Sequence, residues 1–160
     1  MLNISCNNLD GAIPKQLLTL SSLSDGLDLS HNQLSGQIPP EIGDLINLSL
    51  LNVSNNQLSR QIPSTLGQCV HLESLHMEGN LLEGKIPNSF AELRGIIELD
   101  LSRNNLSGAI PELFEFFGSS ILLNLSSTAS KVQYPLVGSF AIKVWYTFRG
   151  TRTYVGAPHC

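Results

Sequence analysis

Paired apolar residues recur along the chain at an interval of 24 residues. Within each pair, one polar residue separates the two apolar ones, and this alternation predicts a short strand with one buried face. The pairs are Leu27/Leu29, Leu51/Val53, Leu75/Met77, Leu99/Leu101 and Leu123/Leu125. An earlier copy, NISCNNLDGAIP, matches LDLSHNQLSGQIP with one extra residue between them. A single unit cannot bury its leucines alone, so the repetition predicts a solenoid of stacked units.

An asparagine follows four of these pairs at a constant offset. A buried asparagine donates and accepts hydrogen bonds at once, so it can satisfy the backbone where the chain leaves the strand. Stacked copies would form a polar ladder inside the molecule. The predicted ladder residues are Asn32, Asn56, Asn80 and Asn104.

Glycine and proline mark where each unit turns back. One position of the unit suits the unusual torsions that glycine permits. Glycine fills it at Gly36, Gly84 and Gly108, whereas Arg60 takes this place in one repeat. The Ile-Pro dipeptides at 38–39, 62–63, 86–87 and 110–111 favour an extended return segment. Apolar residues three apart after each dipeptide favour a short helical or irregular segment on the convex side.

The unit LxxLxLxxNxLSGxIPxxLGxL resembles the plant-specific class of leucine-rich repeats, and LDLSHNQLSGQIP and LDLSRNNLSGAIP match it most fully. The chain is thereby similar to plant leucine-rich-repeat receptor-like serine/threonine kinases, in the C-terminal part of their extracellular repeat domain. This resemblance implies an α/β repeat solenoid that is curved and carries a parallel β-sheet on its concave face. It also implies that the kinase domain, signal peptide and membrane helix of the family are absent from this chain.

The repeats predict two regions. Residues 1–126 hold about five 24-residue units, the first of them partial, and residues 127–160 hold a degenerate last repeat and a tail. The stretch LNLSSTASKVQYPLVGSF resembles the family's final repeat, with Thr128 in place of the ladder asparagine. The tail resembles the family's C-terminal cap, but Val155 stands where the first cysteine of the cap belongs. The resemblance therefore implies that Cys160 lacks its disulfide partner.

Composition and charge exclude several function classes. The net charge of −4 with 14% charged residues offers no basic surface for nucleic acid or an anionic membrane. Three widely spaced cysteines and four histidines show no metal-ligand spacing, and no nucleophile or phosphate-loop motif is present. We therefore expect no enzyme activity, catalytic residue, cofactor or metal. No apolar window reaches the roughly 18 residues of a membrane span, so we expect no membrane segment.

Outward strand positions of such repeats form the concave recognition face. The candidate ligand-binding residues are Asp28, Asn52, His76, Glu78, Asp100 and Arg103. Glu78 stands in a column otherwise made of serine, and with His76 and Arg103 it forms the preferred patch for polar recognition. The serines of that column are also expected to face outward: Ser30, Ser54, Ser102 and Ser126. The alternative interpretation of any one of these residues is a solvated sheet face without a ligand.

Five Asn-x-Ser sequons occur, at Asn3, Asn47, Asn52, Asn105 and Asn124. They indicate ancestry in the secretory pathway if they are used. The alternative is that a repeat rich in asparagine and serine produces such triplets without modification.

The family resemblance implies recognition of a protein or peptide ligand in defence or developmental signalling, with a co-receptor as a second partner. It places the chain at the extracellular face of the plasma membrane. Two alternatives stay open. A truncated, non-functional remnant would expose apolar repeat ends and aggregate, and a small secreted inhibitor of a pathogen enzyme would need capped ends and a signal peptide.

Overall fold

The computed structural model describes residues 1–19, 23–109, 121–128, 132–133, 143–148 and 151–155, the last three ranges by their backbone alone. The chain winds in successive coils, and the first four each contain an inner strand, a second strand and a 3₁₀ helix. The predicted dipeptide at 110–111 and Cys160 lie outside the described residues.

The inner strands form one sheet of eight strands within the described residues, in the order β1-β3-β5-β7-β9-β12-β14-β15. Paired leucines of successive coils lie opposite one another, as in the register of Leu51 with Leu75 and of Leu75 with Leu99. The strands span β1 Leu2–Asn3, β3 Leu27–Asp28, β5 Leu50–Asn52, β7 Ser74–His76, β9 Glu98–Asp100, β12 Leu122–Asn124, β14 Lys143–Phe148 and β15 Thr151–Val155. All neighbours pair in parallel except β14 and β15, which are antiparallel. The predicted parallel sheet and solenoid are confirmed.

A second parallel sheet, which the sequence did not predict, follows each turn away from the inner sheet. Its strands are β2 Asp10–Gly11, β4 Gln33–Gly36, β6 Gln57–Gln61, β8 Leu81–Gly84 and β10 Asn105–Leu106. A further pair, β11 Gly108–Ala109 and β13 Val132–Gln133, is also parallel. Neighbouring coils are therefore hydrogen-bonded to each other through both sheets.

The convex segments are short 3₁₀ helices: η1 Lys15–Thr19, η2 Pro40–Asp44, η3 Ser64–Gln68 and η4 Asn88–Glu92. The residue before each of η2, η3 and η4 is a proline with φ of −63°, −66° and −62°. Because proline fixes φ near this value, the Ile-Pro dipeptide sets the extended approach from which each helix starts.

The core lies between the inner sheet and the 3₁₀ helices. Each inward residue of the paired strand positions is at most 2% exposed, and Phe90 and Cys69 of the convex side are fully buried. Full burial of one such aliphatic or aromatic side chain contributes about 1.5–3 kcal/mol. Since neighbouring coils share these contacts, stability depends on the stack and not on any single repeat.

The predicted ladder asparagines are buried at the turn from the inner to the second sheet, between 5% and 8% exposed. Asn56 shows the pattern. Its Oδ1 accepts a hydrogen bond from the Leu34 N–H at 3.0 Å, and its Nδ2 donates to the Leu29 oxygen at 3.0 Å and the Val53 oxygen at 3.2 Å. One side chain thus ties its own coil to the preceding one, and Asn32, Asn80 and Asn104 repeat the arrangement.

Arg60 occupies a left-handed backbone position, with φ of 71°, where Gly36 and Gly84 have φ of 76° and 79°. A side chain at this position destabilises the folded state by about 1–2 kcal/mol. Replacing the arginine with glycine removes this cost, but glycine has more conformational freedom in the unfolded state, which offsets about 0.4–1 kcal/mol of the gain. We expect Arg60→Gly to raise the free energy of unfolding by up to about 1 kcal/mol in urea denaturation. The same change at Ser59, whose φ is not positive, should lower it; equal effects at both positions would contradict this account.

Candidate functional site

The first outward position of most inner strands carries a side chain that caps its own strand end. The Oδ1 of Asp28 accepts the N–H of Ser30 at 3.0 Å, and the Oδ1 of Asp100 accepts the N–H of Ser102 at 2.9 Å. Asn3, Asn52 and Asn124 make the same bond two residues on, at 2.9, 3.1 and 3.1 Å. Aspartate and asparagine at this position therefore have a local structural role, which explains them without a ligand.

His76 is the exception in this column. In the sheet register it lies between Asn52 on β5 and Asp100 on β9. Its Nδ1 is 4.0 Å from the Glu78 Oε2, and its Nε2 is 3.8 Å from the Glu98 Oε2. Both distances exceed hydrogen-bond length. The half-buried imidazole therefore sits between two carboxylates without a close bond to either.

The Glu78 carboxylate is short of donors. Its side chain is 18% exposed, and its Oε2 is buried with no hydrogen-bond partner among the described residues. A buried acceptor without a donor is unfavourable, because it has lost its water and gained no replacement. Rotation of the carboxylate would bring this oxygen to the surface, where an N–H or O–H of a bound group would remove the cost.

The expectation that the serines of this column face outward is wrong for three of them. Ser30, Ser54 and Ser102 are 3%, 2% and 3% exposed. In each case the following residue adopts a positive φ, for example 54° at His31, so the chain turns away directly after the serine. Burial at the start of this turn favours a small side chain such as serine in these three coils.

The residues that form the next column all have a positive φ. Gly79 belongs to this column, and its lack of a side chain leaves a gap in the row. The Arg103 guanidinium crosses that gap and donates from Nη2 to the Asn55 Oδ1 at 3.3 Å, two coils away. A Cβ added at Gly79 would lie 2.7 Å from the same Asn55 oxygen. The missing side chain is therefore what allows Arg103 to reach across the face.

The structure thus divides the predicted site residues. His76 and Glu78 come together, and Arg103 lies on the adjoining column. The other three use a side-chain oxygen to accept a backbone N–H of their own coil: Asp28, Asn52 and Asp100. Glu98 joins the histidine cluster although the sequence did not single it out. The feature of the sequence that could have indicated Glu98 is its position one residue before an inward leucine. Four other described coils carry an uncharged residue there: Gly26, Leu50, Ser74 and Leu122.

The two cysteines of the described residues differ in their surroundings. Cys69 is fully buried and donates from Sγ to the Ile42 oxygen at 3.3 Å. Burial, with a smaller contribution from the Asp44 charge, raises the pKa of this thiol to about 11. The thiol is therefore protonated at neutral pH and serves as a small core residue. Cys6 is exposed at the turn after β1.

Within the described part of the chain, no three or more His, Cys, Asp or Glu side chains are grouped so as to hold a metal ion. In the same residues, no helix has the length and apolar content to cross a membrane.

Comparison with known proteins places this geometry among repeat proteins. The Leucine Rich Repeat family model matches residues 26–45, 47–69, 71–93 and 95–117, which is more than half of the chain. The LRR receptor-like serine/threonine-protein kinase GSO2 of Arabidopsis thaliana is 47% identical over 47 residues, which are 29% of this chain and 4% of that protein.

Solved ectodomains of plant receptor kinases share the fold. The ectodomain of GASSHO1/SCHENGEN3 from Arabidopsis thaliana, in complex with CASPARIAN STRIP INTEGRITY FACTOR 2, is 34% identical with a TM-score of 0.75 over 83% of this chain and 15% of that one. The Arabidopsis receptor kinase HAESA, in complex with the peptide hormone IDA and the co-receptor SERK1, is 28% identical with a TM-score of 0.75 over 96% and 27%. The chain therefore spans a small part of these relatives.

Proposed function

Because this chain belongs to the leucine-rich repeat family, we propose that its inner sheet is a recognition surface for a protein or peptide ligand. The observation that carries the proposal is the cluster of His76, Glu78 and Glu98, in which a buried carboxylate oxygen has no donor within the described residues. The complexes of GASSHO1/SCHENGEN3 and HAESA support the same class of function.

Within this surface, the cluster and Arg103 are the specificity residues of the proposal. The cluster offers acceptors at Glu78 and Glu98, while the guanidinium, held in place by Asn55, offers donors. A ligand matches this surface if it places a donor-rich group against the cluster and an acceptor against the Arg103 guanidinium. The capping residues Asp28, Asn52 and Asp100 contribute shape and charge around them.

The size of the face limits what this chain binds alone. Five repeat strands about 4.8 Å apart, with about four residues of about 3.3 Å each, give an area of about 300 Å². A stable interface takes about 800 Å² per partner. We therefore expect weak binding by the inner face alone, and tighter binding where the ligand, a co-receptor or further repeats extend the contact.

A display experiment tests the proposal. We expect a random peptide-display library panned on the immobilised chain to yield binders that a His76→Ala, Glu78→Gln, Arg103→Gln variant loses, with Kd raised at least about tenfold. Binding is measured by biolayer interferometry with synthetic peptides from the selection. These substitutions remove donors and acceptors but leave the core and ladder in place.

The chain offers a matched control for this experiment. His71, Glu73 and Arg94 are exposed, include the same His-x-Glu spacing, and lie in turns that precede the inner strands. The corresponding His71→Ala, Glu73→Gln, Arg94→Gln variant should bind the selected peptides as the parent does. If it loses binding as much as the inner-face variant, or if the inner-face variant binds unchanged, the proposed surface is wrong.

We also propose that the surface acts in defence or developmental signalling at the extracellular face of the plasma membrane. The support is the likeness to GSO2 and to receptor ectodomains of plants. A fluorescent fusion of the natural transcript, viewed in plant epidermal cells, should label the cell periphery. Diffuse cytosolic fluorescence would count against this location.

A further inference from the structure

The five sequons occupy two different structural settings. Asn47 lies in the turn between η2 and β5, and Asn105 lies in β10 of the second sheet. Both side chains are exposed, and neither makes a side-chain hydrogen bond within the described residues. Their amide groups therefore project into solvent without a structural role.

The other three sequon asparagines all belong to the capping column of the inner sheet. Each uses its Oδ1 to accept the N–H two residues on, which is the N–H of the serine in its own sequon. The Nδ2 of Asn124 also donates to the Asp100 Oδ2 at 2.7 Å, and that of Asn3 points to the Asp28 Oδ2 at 3.4 Å. A sugar on the Asn124 nitrogen would have to lie beside its hydrogen bond to Asp100 on the neighbouring strand, and a sugar on Asn3, which is exposed on the edge strand β1, would lie beside its contact with Asp28.

We propose that Asn47 and Asn105 are the N-glycosylation sites of the folded protein, and that the inner-sheet asparagines Asn3, Asn52 and Asn124 are not occupied. In the modification, the Nδ2 of asparagine forms a bond to the anomeric carbon of the first N-acetylglucosamine of a lipid-linked oligosaccharide. The bond from that carbon to the lipid pyrophosphate breaks, the pyrophosphate leaves, and the amide loses one proton. The product is the secondary amide that links the glycan to the chain.

The two sites flank the proposed recognition surface. Asn47 stands before the start of an inner strand, whereas Asn105 stands beyond the end of another, on the second sheet. Glycans at these positions border the inner sheet on both sides and leave His76, Glu78 and Arg103 open. A large partner therefore has to approach the inner face between them or dock where no glycan stands.

The inference rests on the extracellular location within the proposed function, and not on the ligand. The chain is therefore expressed behind a cleavable secretion leader in cultured plant cells, which ensures exposure to the glycosylating enzymes. The secreted protein is treated with an amidase that releases N-glycans in ¹⁸O water, and peptide mass spectrometry measures occupancy at each sequon. The single variants Asn47→Gln and Asn105→Gln, the double variant that combines them, and the control Asn52→Gln are analysed in parallel.

We expect high occupancy at Asn47 and Asn105, loss of one glycan in each single variant and no glycan in the double variant. The Asn52→Gln control should migrate on a gel as the parent does. Occupied inner-sheet sites, or a secreted folded chain with no glycan at Asn47 and Asn105, would overturn the proposal. A chain glycosylated at these two sites that binds no selected peptide would instead contradict the proposed function and leave the glycan assignment standing.

Discussion

Asn56→Ala is expected to lower the free energy of unfolding by about 3–5 kcal/mol. The Leu34 N–H donates to the Asn56 Oδ1 at 3.0 Å in a site that is 8% exposed, and the loss of this partner costs about 1–3 kcal/mol. The hydrogen bonds from Asn56 to the Leu29 and Val53 oxygens, at 3.0 and 3.2 Å, are lost at about 0.5–1.5 kcal/mol each, while these oxygens keep the side-chain N–H groups of Asn32 and Asn80. Alanine supplies neither donor nor acceptor, and the site is too enclosed for full hydration. Urea denaturation followed by circular dichroism measures the loss, which is a large part of the about 5–15 kcal/mol that stabilises a typical domain.

Two further variants separate the polar contribution from general damage. Asn56→Asp keeps an acceptor for Leu34 but directs a carboxylate oxygen at two carbonyls, so it should be at least as unstable as Asn56→Ala at neutral pH. Gln57→Ala, at the exposed neighbouring position in β6, should change stability by less than about 0.5 kcal/mol. A loss below about 1 kcal/mol for Asn56→Ala would show that the ladder does not hold the coils together. A parent chain that aggregates and does not melt cooperatively would favour the remnant interpretation.

Repetition explains which parts of the fold the sequence reveals. The inward leucines and the ladder asparagines recur every 24 residues, so errors in reading one copy are corrected by the others. The segments of the second sheet recur at the same interval, but each shows no strand alternation, because a segment such as QLSG of β4 buries only one of four residues and depends on pairing with the next coil. Residues 127–160 lack the repeat, and the sequence did not predict the strands β14 and β15 there.

The sequence predicts which face of the sheet carries the candidate site, but not which side chains on that face are engaged with the backbone. Outward positions follow from strand alternation, but their use does not, because capping bonds and turns are set by backbone geometry. Ser30 is covered and Asp100 is engaged with its own backbone, although both alternate with inward leucines. The contact of Arg103 with Asn55 depends on a glycine between them in space, 24 residues from either. The sequence contains all three residues without indicating that they act together.

The structural roles and the proposed recognition roles therefore fall on separate positions of the same coil. Positions that repeat faithfully, such as the ladder asparagines and the capping Asp or Asn, have partners in the backbone. On the inner face, His76 and Glu78 break the repeat, and their polar atoms lack close partners. Under the proposed function, departure from the repeat on this face is therefore a better guide to ligand recognition than agreement with it.

The second large loss of stability is expected on the convex side, where the 3₁₀ helices of neighbouring coils pack together. Gly67→Ala is expected to lower the free energy of unfolding by about 2–3 kcal/mol, the upper part of the range for overpacking in a tightly packed interior. A Cβ at Gly67 in η3 would lie 2.7 Å from the Cβ and 2.8 Å from the carbonyl carbon of Ser89, the residue that begins the next coil's helix with Asn88. Ser89 cannot move aside freely, because its Oγ donates to the Ser64 oxygen at 2.7 Å. Thermal and urea denaturation measure the loss.

Gly95→Ala is the matched control, since a Cβ there would meet the Val70 and Leu72 oxygens at the ordinary distances of 3.5 and 3.6 Å. It should leave stability unchanged or raise it slightly, because alanine has less freedom to lose than glycine on folding. Ala91 occupies the place of Gly67 one coil later, so a methyl group is compatible with the helix itself. The expected cost thus comes from the separation between coils. If Gly67→Ala and Gly95→Ala prove equally stable, the 3₁₀ helices are packed loosely enough to shift apart, and glycine at 67 does not set the spacing of the stack.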